Sequence, residues 1–480
     1  MRRLMLLAAL ALPTRAYAAD APAATRPAPL PEPLAAPKFK LPPTVTKTLS
    51  NGLRVVIATN PEVPLWDVRV VFDVGGFADP VGKEGVAAAT FDMLNEGAAG
   101  MTAEELSREL KRLGSSLETR ADDDGAIIAA AGLTRNLAPT LDLLTKILLQ
   151  PEFPAADWEI NRSQRLADLA AARQDPGGIM TRVTPHVLYG DTYRGRLVSD
   201  ASLTAITADD LRAWYGAHVG PQNAIILVGG ALKADEIVPL LEARLGQWKP
   251  ANIQDPKATP KLTDAKAATL YLIDKPGAAQ SVVRSVQPVG LRTDPDYYDL
   301  VIANTALGGA FTSRVNMNLR EEKGYTYGAR CGFIFRYGPG LWTCTTSVET
   351  TVTAPAIMEL RGEIMAAIAA EPLTKDEIGF YRESESRGYA GQYEVTGAIL
   401  DEKADIWRYG LPADWTERYL TGVGKVQDKT ANAALSARLK PDQLTWIVVG
   451  DAAKIRPGLE TLGLPIVMLD RDGNPVKAAQ

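Results

Sequence analysis

Two stretches of the chain, Pro221-Gln-Asn-Ala-Ile-Ile-Leu-Val-Gly-Gly230 and Pro441-Asp-Gln-Leu-Thr-Trp-Ile-Val-Val-Gly450, follow one pattern. Each begins with a proline and three mostly polar residues, continues as an apolar run and closes on glycine, and the two lie 220 positions apart. A short apolar run bounded by turn residues predicts a buried strand. A helical pattern precedes each run, at 207–217 and at 428–439. The sequence therefore predicts two related helix–strand units.

A second pair of segments has the same spacing. Phe153-Pro-Ala-Ala-Asp-Trp158 aligns with Leu373-Thr-Lys-Asp-Glu-Ile378 at the 220-position offset. Chance similarity would not be expected to preserve one offset in distant places, so duplication is the favoured interpretation. We predict an α+β fold of two homologous halves, 45–250 and 262–475, joined by a polar linker at 251–261. Each half would be a β-sheet flanked by helices, and two such halves can enclose a space.

The N-terminus has the pattern of an export signal. Arg2 and Arg3 precede an apolar run from Leu4 to Leu12, and Ala16-Tyr17-Ala18 fits a cleavage site. We predict a signal peptide at 1–18 and a Pro/Ala-rich linker at 19–44, in a periplasmic or secreted protein. The apolar run is too short to span a bilayer and no later run is long enough, so we expect no stable membrane anchor.

The charge balance argues against a nucleic-acid partner. The chain has 52 basic and 57 acidic residues, a net charge of −5. Removal of the signal peptide takes away three arginines and leaves a net charge of −8. A mildly acidic surface without a basic stripe does not attract phosphate backbones.

The two cysteines, Cys331 and Cys344, flank the turn sequence Arg336-Tyr337-Gly338-Pro339-Gly340 between two β-rich runs. A hairpin there could bring them together, and an oxidising compartment would allow a disulfide. Two small buried thiols are the equally weighted alternative, because register cannot be derived from the sequence.

A third pattern lies near residue 90. Gly75-Gly76-Phe77-Ala78-Asp79-Pro80 is followed by Gly85-Val86-Ala87-Ala88-Ala89-Thr90-Phe91-Asp92-Met93-Leu94-Asn95-Glu96-Gly97, after the opening Leu49-Ser50-Asn51-Gly52-Leu53. This order resembles the first half of the insulinase/pitrilysin metallopeptidases, which include the mitochondrial processing peptidases. The resemblance implies a clam-shell of two related halves. Family enzymes carry His-x-x-Glu-His here, with both histidines on zinc and the glutamate as general base.

The matching positions in this chain are Ala88, Phe91 and Asp92, which replace both histidines and the base. The family's third ligand, a glutamate, is expected near Asp168, which by itself cannot rebuild a site and is interpreted as a solvated helix residue. The two histidines, His186 and His218, lack metal-pair spacing and are interpreted as structural. We therefore expect no metal or other cofactor in this chain.

The second half retains the family's C-terminal signature. Leu307-Gly308-Gly309-Ala310-Phe311-Thr312-Ser313-Arg314 precedes Leu319-Arg320-Glu321-Glu322-Lys323-Gly324-Tyr325-Thr326-Tyr327. The resemblance implies that Arg320 and Tyr327 contact a peptide substrate, with Gly308, Gly309 and Phe311 beside it. An arginine fork and a tyrosine hydroxyl suit carbonyl or oxyanion oxygens. The alternatives are an Arg320–Glu321 ion pair, a half-buried strand position for Tyr327, and an ordinary glycine turn.

The sequence thus indicates a division of labour. We expect the non-zinc subunit of a heteromeric zinc peptidase, paired with a homologous zinc-bearing subunit and acting on peptides, and inactive alone. The alternative is an inert scaffold or peptide-binding relative. A third, weaker hypothesis is an independent enzyme with an unrecognised site.

Overall fold

The structure is a computed structural model that describes residues 41–250, 261–262 and 267–476. The predicted signal peptide at 1–18, nearly all of the 19–44 linker and nearly all of the 251–261 linker lie outside the described residues. No helix in the described ranges is long and apolar enough to cross a membrane.

The first half contains eight strands and eight α-helices in the described chain. The strands are β1 Thr44–Thr48, β2 Arg54–Thr59, β3 Leu65–Phe72, β4 Gly97–Ala98, β5 Met101–Thr102, β6 Ser116–Ala121, β7 Ala126–Leu133 and β8 Ala224–Gly230. The helices are α1 Val86–Asp92, α2 Ala103–Leu113, α3 Leu137–Leu149, α4 Ala155–Ala172, α5 Pro176–Tyr189, α6 Asp200–Ala205, α7 Ala208–His218 and α8 Ala234–Leu245.

The second half contains the remaining described elements. The strands are β9 Thr269–Asp274, β10 Gln280–Gly290, β11 Ala329–Ile334, β12 Gly340–Glu349, β13 Thr445–Gly450 and β14 Ile466–Leu469. The helices are α9 Tyr297–Asn304, α10 Arg314–Asn316, α11 Thr353–Met365, α12 Lys375–Gly388, α13 Thr396–Tyr409, α14 Trp415–Val423, α15 Asp428–Arg438 and α16 Ala452–Glu460. Three further segments are π-helical: Thr305–Gly309, Met317–Glu322 and Ala366–Ala370.

The two six-stranded sheets share five strands of matching order and direction, and they differ in the sixth, because β1 is antiparallel to β2 and β14 is parallel to β9. The first has the order β1-β2-β8-β3-β7-β6, and the second, taken from its C-terminal strand, has the order β14-β9-β13-β10-β12-β11. Arg69 of β3 lies opposite Leu227 of β8, and Arg284 of β10 lies opposite Ile447 of β13. Leu227 and Ile447 are 220 positions apart, so the register reproduces the offset in the sequence. The predicted α+β fold of two sheet-and-helix halves is confirmed.

One helix from each half packs on the sheet of the other half. Helix α5 packs on the second sheet, where Ile179 and Val183 join Val286 and Ile447 in one apolar cluster. Helix α13 packs on the first sheet, where Leu400 joins Leu227 in another cluster. The two helices have the same length and lie 220 positions apart. Both faces of each sheet are therefore covered only when the two halves are together.

The turns between the edge strands also meet. Arg194 donates to both carboxylate oxygens of Asp124, at 2.8 and 2.9 Å, and to the carbonyl of Tyr337 at 3.2 Å. The side chains of Arg194 and Asp124 are only 4% and 1% exposed. Asp124 lies in the β6–β7 turn and Tyr337 in the β11–β12 turn, so this buried ion pair joins equivalent hairpins of the two halves.

Local signals in the sequence fix two helix starts. Thr102 and Glu105 form a capping box at the start of α2. The Asp175-Pro-Gly-Gly178 segment follows α4 and begins α5. The Asp175 carboxylate accepts from the Gly178 amide at 2.6 Å, and Pro176 occupies the first helical position, where no amide donor is needed. The same four residues therefore start the helix that packs on the second sheet.

Candidate functional site

Helix α1 carries the degenerate zinc motif, and its residue Phe91 packs into the hydrophobic core. Phe91 is completely buried. Its ring makes edge contacts with Phe72 at 5.7 Å and Trp214 at 6.3 Å between centroids, and lies 6.4 Å from Tyr215. Aromatic pairs at these separations add to the free energy of burial. The position where the family has its general base therefore belongs to the hydrophobic core.

A guanidinium lies beside the position of the second lost histidine. Arg165 of α4 forms an ion pair with Asp92. Burial raises the pKa of Asp92, and the positive charge of Arg165 opposes that rise. Asp168, one helical turn further along α4, accepts from Gln164 at 2.7 Å and adds a second negative charge near Arg165. The structure thus brings Asp92 and Asp168 together around a fixed cation.

The donor set does not fit zinc. Ala88 has no donor atom, Phe91 is a core residue, and the carboxylate of Asp92 is engaged by Arg165. Among the described residues, no group of three or more His, Cys, Asp or Glu side chains is placed to hold a metal ion. A neighbouring guanidinium also repels a divalent cation. No catalytic step can be routed through a metal held by these residues.

A buried carboxylate before α1 is not evident from the sequence. Asp79 accepts from the amide of Gly85 at 2.6 Å and from the amide of Ala87 at 3.0 Å. Burial raises its pKa to about 7, although these two hydrogen bonds and the charge of Arg196 act in the opposite direction. Asp79 lies six residues before Gly85, too far for the usual capping pattern to reveal it. Its geometry indicates that it anchors the start of α1.

Arg320 lies in the π-helical segment Met317–Glu322. Its Nε lies 3.2 Å from a Glu321 carboxylate oxygen, and its guanidinium stacks over the Phe311 ring at 4.4 Å from the centroid. The Arg320–Glu321 pair expected as the structural alternative is therefore present. About a third of the Arg320 side chain stays exposed. π-Helical turns are rare and are often found at functional sites.

Tyr327 lies outside the strand that follows it. Strand β11 begins at Ala329, and Tyr327 is 92% exposed, so the half-buried strand position considered as an alternative is wrong. In the described ranges no hydrogen bond or ring contact joins Tyr327 to Arg320. The structure therefore brings Arg320 and Phe311 into contact, whereas the Tyr327 side chain is exposed to solvent.

The glycine turn and the cysteines form one packed unit. Cys331 and Cys344 are directly opposite in the β11–β12 ladder and are joined by a disulfide. A Cβ on Gly308 would lie 2.2 Å from the Cys331 sulfur, so only glycine fits beneath this bond. Gly308 is thus buried by packing, whereas Gly309 is partly exposed and the Phe311 ring is 55% exposed.

Ion pairs hold this segment against the helices behind it. Arg314 binds Glu377 of α12, with Nε 2.7 Å from a carboxylate oxygen, and lowers the pKa of that carboxyl to about 2. Asn318 donates to Glu359 and to Glu363 of α11 at 3.1 and 2.9 Å. Arg314 and Asn318, which precede Arg320, therefore anchor its segment to α12 and α11.

The histidines have the structural surroundings that their sequence context suggested. The Nδ1 atom of His186 lies 2.8 Å from the carbonyl oxygen of Gly195. The ring of His218 lies 5.0 Å from the ring of Trp214. They belong to different helices, α5 and α7.

Two family models match the chain in succession. Residues 54–203 match the insulinase model of peptidase family M16, and residues 205–384 match the model described as the peptidase M16 inactive domain. The relatives include an uncharacterized zinc protease of Streptomyces coelicolor, 24% identical over 87% of this chain and 88% of that protein. A protein named as a non-peptidase homologue from Helicobacter pylori is 21% identical over 83% of this chain and 92% of its own length.

Solved structures show the same fold. An M16 inactive-domain protein from Pseudomonas fluorescens superimposes with a TM-score of 0.78 at 22% identity, covering 85% of this chain and 98% of that one. The periplasmic protease PqqL of Escherichia coli gives a TM-score of 0.72 at 17% identity, over 92% of this chain and 49% of that one. With both models matched in order along more than half of its length, this chain belongs to the insulinase (M16) family of peptidases, as a member with an inactive-type domain.

Proposed function

We propose that this protein is the zinc-less subunit of a heteromeric zinc peptidase outside the cytoplasm, and that it supplies Arg320 and Tyr327 to a peptide bound in a shared chamber. One observation carries the proposal. A buried phenylalanine, Phe91, occupies the general-base position of the zinc motif, whereas the segment of Arg320 is anchored to α11 and α12 and leaves the Arg320 side chain partly exposed. A chain that had lost both roles would have no reason to keep the second arrangement.

The exposed groups have the chemistry for holding a peptide. The guanidinium of Arg320 is permanently charged and can donate to a carbonyl or carboxylate oxygen. The Tyr327 hydroxyl can donate to an oxygen that gains negative charge. The Phe311 ring stacks on the guanidinium of Arg320 and restricts its orientation. Less side-chain entropy is therefore lost when a peptide binds. These residues bind and orient the peptide, and zinc with its general base would belong to the partner.

The names of the relatives support the interpretation that the zinc motif of this chain is not catalytic. One is named a non-peptidase homologue, and a structural neighbour is described as an M16 inactive domain. The neighbour named as a periplasmic protease is about twice as long as the part that this chain matches. A chain of that length can contain two copies of the two-half unit that this protein has. In this protein, a second polypeptide would supply the second copy.

The test uses the full chain and the homologous exported protein with His-x-x-Glu-His from the same organism. Each is purified alone and mixed, and hydrolysis of a quenched fluorescent peptide library is followed. We expect activity only in the mixture, and loss of about 10²-fold with Arg320→Ala, since one missing donor at a developing charge costs that much. Tyr327→Phe should also lower kcat while the ring is retained.

Arg456→Ala is the matched control. Arg456 is also exposed and also pairs with a carboxylate of its own helix, Glu460, at 2.9 Å, but it lies on α16. It should leave activity unchanged. Full activity of the zinc-bearing protein alone would refute the proposal, as would an Arg320→Ala mixture as active as the Arg456→Ala mixture.

A scaffold or peptide-binding role is the second candidate, favoured by the Arg320–Glu321 pair, which already gives the guanidinium a partner. In that case Arg320→Ala would leave hydrolysis unchanged. Co-purification of the chain in an assembly without any zinc subunit would favour this role.

A further inference from the structure

A cavity of about 160 Å³ lies where α5 meets the second sheet. Its walls are formed partly by apolar side chains, including Leu188 of α5 and Leu341 of β12. The guanidinium of Arg284, on the central strand β10, lies in the wall between them. The volume is roughly that of five water molecules, so it can hold a small organic molecule.

Arg284 has only hydroxyl partners. Its Nε donates to the Thr345 hydroxyl at 3.0 Å, and an Nη donates to the Thr184 hydroxyl at 3.1 Å. Within the described part of the chain it has no carboxylate partner. Burial lowers its pKa without any opposing negative charge. A half-buried cation without a counter-ion is costly unless an anion joins it.

The internal duplication provides the comparison. Arg69 is the counterpart of Arg284 by register, and it binds Asp67, with Nη2 2.7 Å from a carboxylate oxygen, and Asp401 of α13. The equivalent positions beside Arg284 are Val282 and Thr181, because the strand pairing and the helix offset are the same in both halves. The site on the second sheet therefore has the arginine, but a valine and a threonine where the first sheet has two carboxylates.

The other charged groups of the cavity are balanced. Arg194 is neutralised by Asp124, with nitrogen and oxygen 2.8 Å apart. Arg336 pairs with Asp123 at 3.2 Å. The cavity wall therefore carries one positive charge in excess, that of Arg284, surrounded mostly by apolar surface.

We propose that this cavity binds a small monocarboxylate, with its carboxylate on Arg284 and its apolar body against Leu188 and Leu341. The bound carboxylate would take the place that Asp67 and Asp401 have beside Arg69. Arginine binds carboxylates through two parallel hydrogen bonds. The same chemistry is available from a free branched acid and from the C-terminal carboxylate of a peptide ending in leucine.

The probes are 4-methylpentanoate, its amide, and the tripeptide N-acetyl-Ala-Ala-Leu with a free or an amidated C-terminus. Binding to the full chain is measured by calorimetry and by the rise in Tm, which a ligand of the native state produces. We expect a Kd on the order of 1 mM for at least one carboxylate and no saturable binding of its amide. Binding of the tripeptide alone would support the proposal and identify the source as a peptide end.

Two variants test the position. Arg284→Gln should weaken binding at least tenfold. Thr181→Asp restores the carboxylate that the first half has at Asp401, and it should abolish binding while raising the Tm of the free protein. Thr421→Asp is the control for added charge, because Thr421 is also an exposed helical residue whose hydroxyl bonds the carbonyl four residues earlier. It should bind like wild type.

The proposal is overturned if neither carboxylate binds, if an amide binds as well as its acid, or if Thr181→Asp binds like wild type. Thr181→Asp keeps the test decisive even if Arg284→Gln fails to fold, because the substituted side chain is exposed at the cavity rim. Peptide hydrolysis by the mixed subunits with Thr181→Asp separates this site from Arg320: unchanged hydrolysis with lost carboxylate binding is the expected result.

Discussion

Replacing Phe91 by the glutamate that family enzymes have at this position should destabilise the protein rather than restore a base. Phe91 is fully buried against Phe72 and Trp214. Removing a buried phenylalanine ring costs about 3–5 kcal/mol, and glutamate refills only part of that volume. The new carboxyl must then either be buried as a charge or take up a proton.

The second cost depends on pH. An ordinary glutamate has a pKa of about 4.3, and burial without a partner raises it, to about 8 or 9 in documented cases. The native state would then hold a proton that the unfolded state releases. The stability of Phe91→Glu should fall by about 1.4 kcal/mol for each pH unit above about 4.3, or by about 3 kcal/mol between pH 5 and pH 7.

The assay is urea unfolding at pH 5, 6 and 7, followed by tryptophan fluorescence. Phe91→Gln is the matched control, since it has nearly the same shape and does not titrate. Both variants should be less stable than wild type at pH 5, and only Phe91→Glu should lose more stability on going to pH 7. The reasoning is refuted if Phe91→Glu loses less than about 1 kcal/mol at pH 7, or if the two variants respond alike to pH.

Three further predictions follow from buried groups described above. Burial raises the pKa of Asp79 to about 7, so the native state binds its proton more tightly than the unfolded state, and the free energy of unfolding should fall between about pH 4 and pH 7. Asp79→Asn should reduce this dependence of the free energy on pH in urea unfolding, and an unchanged dependence would contradict the assignment. Asp124→Ala should destabilise by about 3–5 kcal/mol because it leaves Arg194 buried without its carboxylate partner, whereas replacing both by apolar residues should cost less. A double-variant loss equal to the sum of the two single losses would show that the pair is not coupled. Replacing Cys331 and Cys344 together by alanine should lower stability by about 2–4 kcal/mol under oxidising conditions, and wild type in reductant should behave like the variant; a Tm unaffected by either change would be inconsistent with a stabilising bond.

The repeat in the sequence was sufficient to predict the two-half fold. The Pro221 and Pro441 segments become the central strands β8 and β13, because apolar runs of this length can be covered on both faces only inside a layered structure. The capping box at Thr102 was also predictable, since a cap depends on neighbours three residues away.

The exchange of α5 and α13 could not be predicted. An amphipathic pattern indicates that a helix buries one face, but it does not tell which sheet receives that face. The same limit applies to Arg284, for which the sequence shows only an arginine in a strand. The register identifies Arg69 as its counterpart, and among the residues that the structure describes Arg69 has two carboxylate partners and Arg284 has none.

The candidate site was predicted in part. The resemblance located Arg320 and Phe311, and the structure adds that they stack, which depends on the π-helical turn. Gly308 was expected beside a substrate, and the structure packs it against the Cys331–Cys344 disulfide. The ion pair of Asp92 with Arg165 was missed, because it joins residues 73 positions apart on two helices. Substrate contact by Arg320 and Tyr327 stays a prediction.

The packing of α5 and α13 on the sheet of the opposite half has a consequence for biosynthesis. When the first sheet has left the ribosome, the helix that covers its outer face, Thr396–Tyr409, has not yet been translated. Nascent chains with an uncovered apolar sheet are prone to aggregate, and contacts across such long sequence separations form slowly. Synthesis of the stretch between residue 230, where the first sheet is complete, and residue 409, where its covering helix ends, is therefore a period in which a holding chaperone would be needed. A ribosome stalled before residue 396 would leave a product that cannot complete its fold.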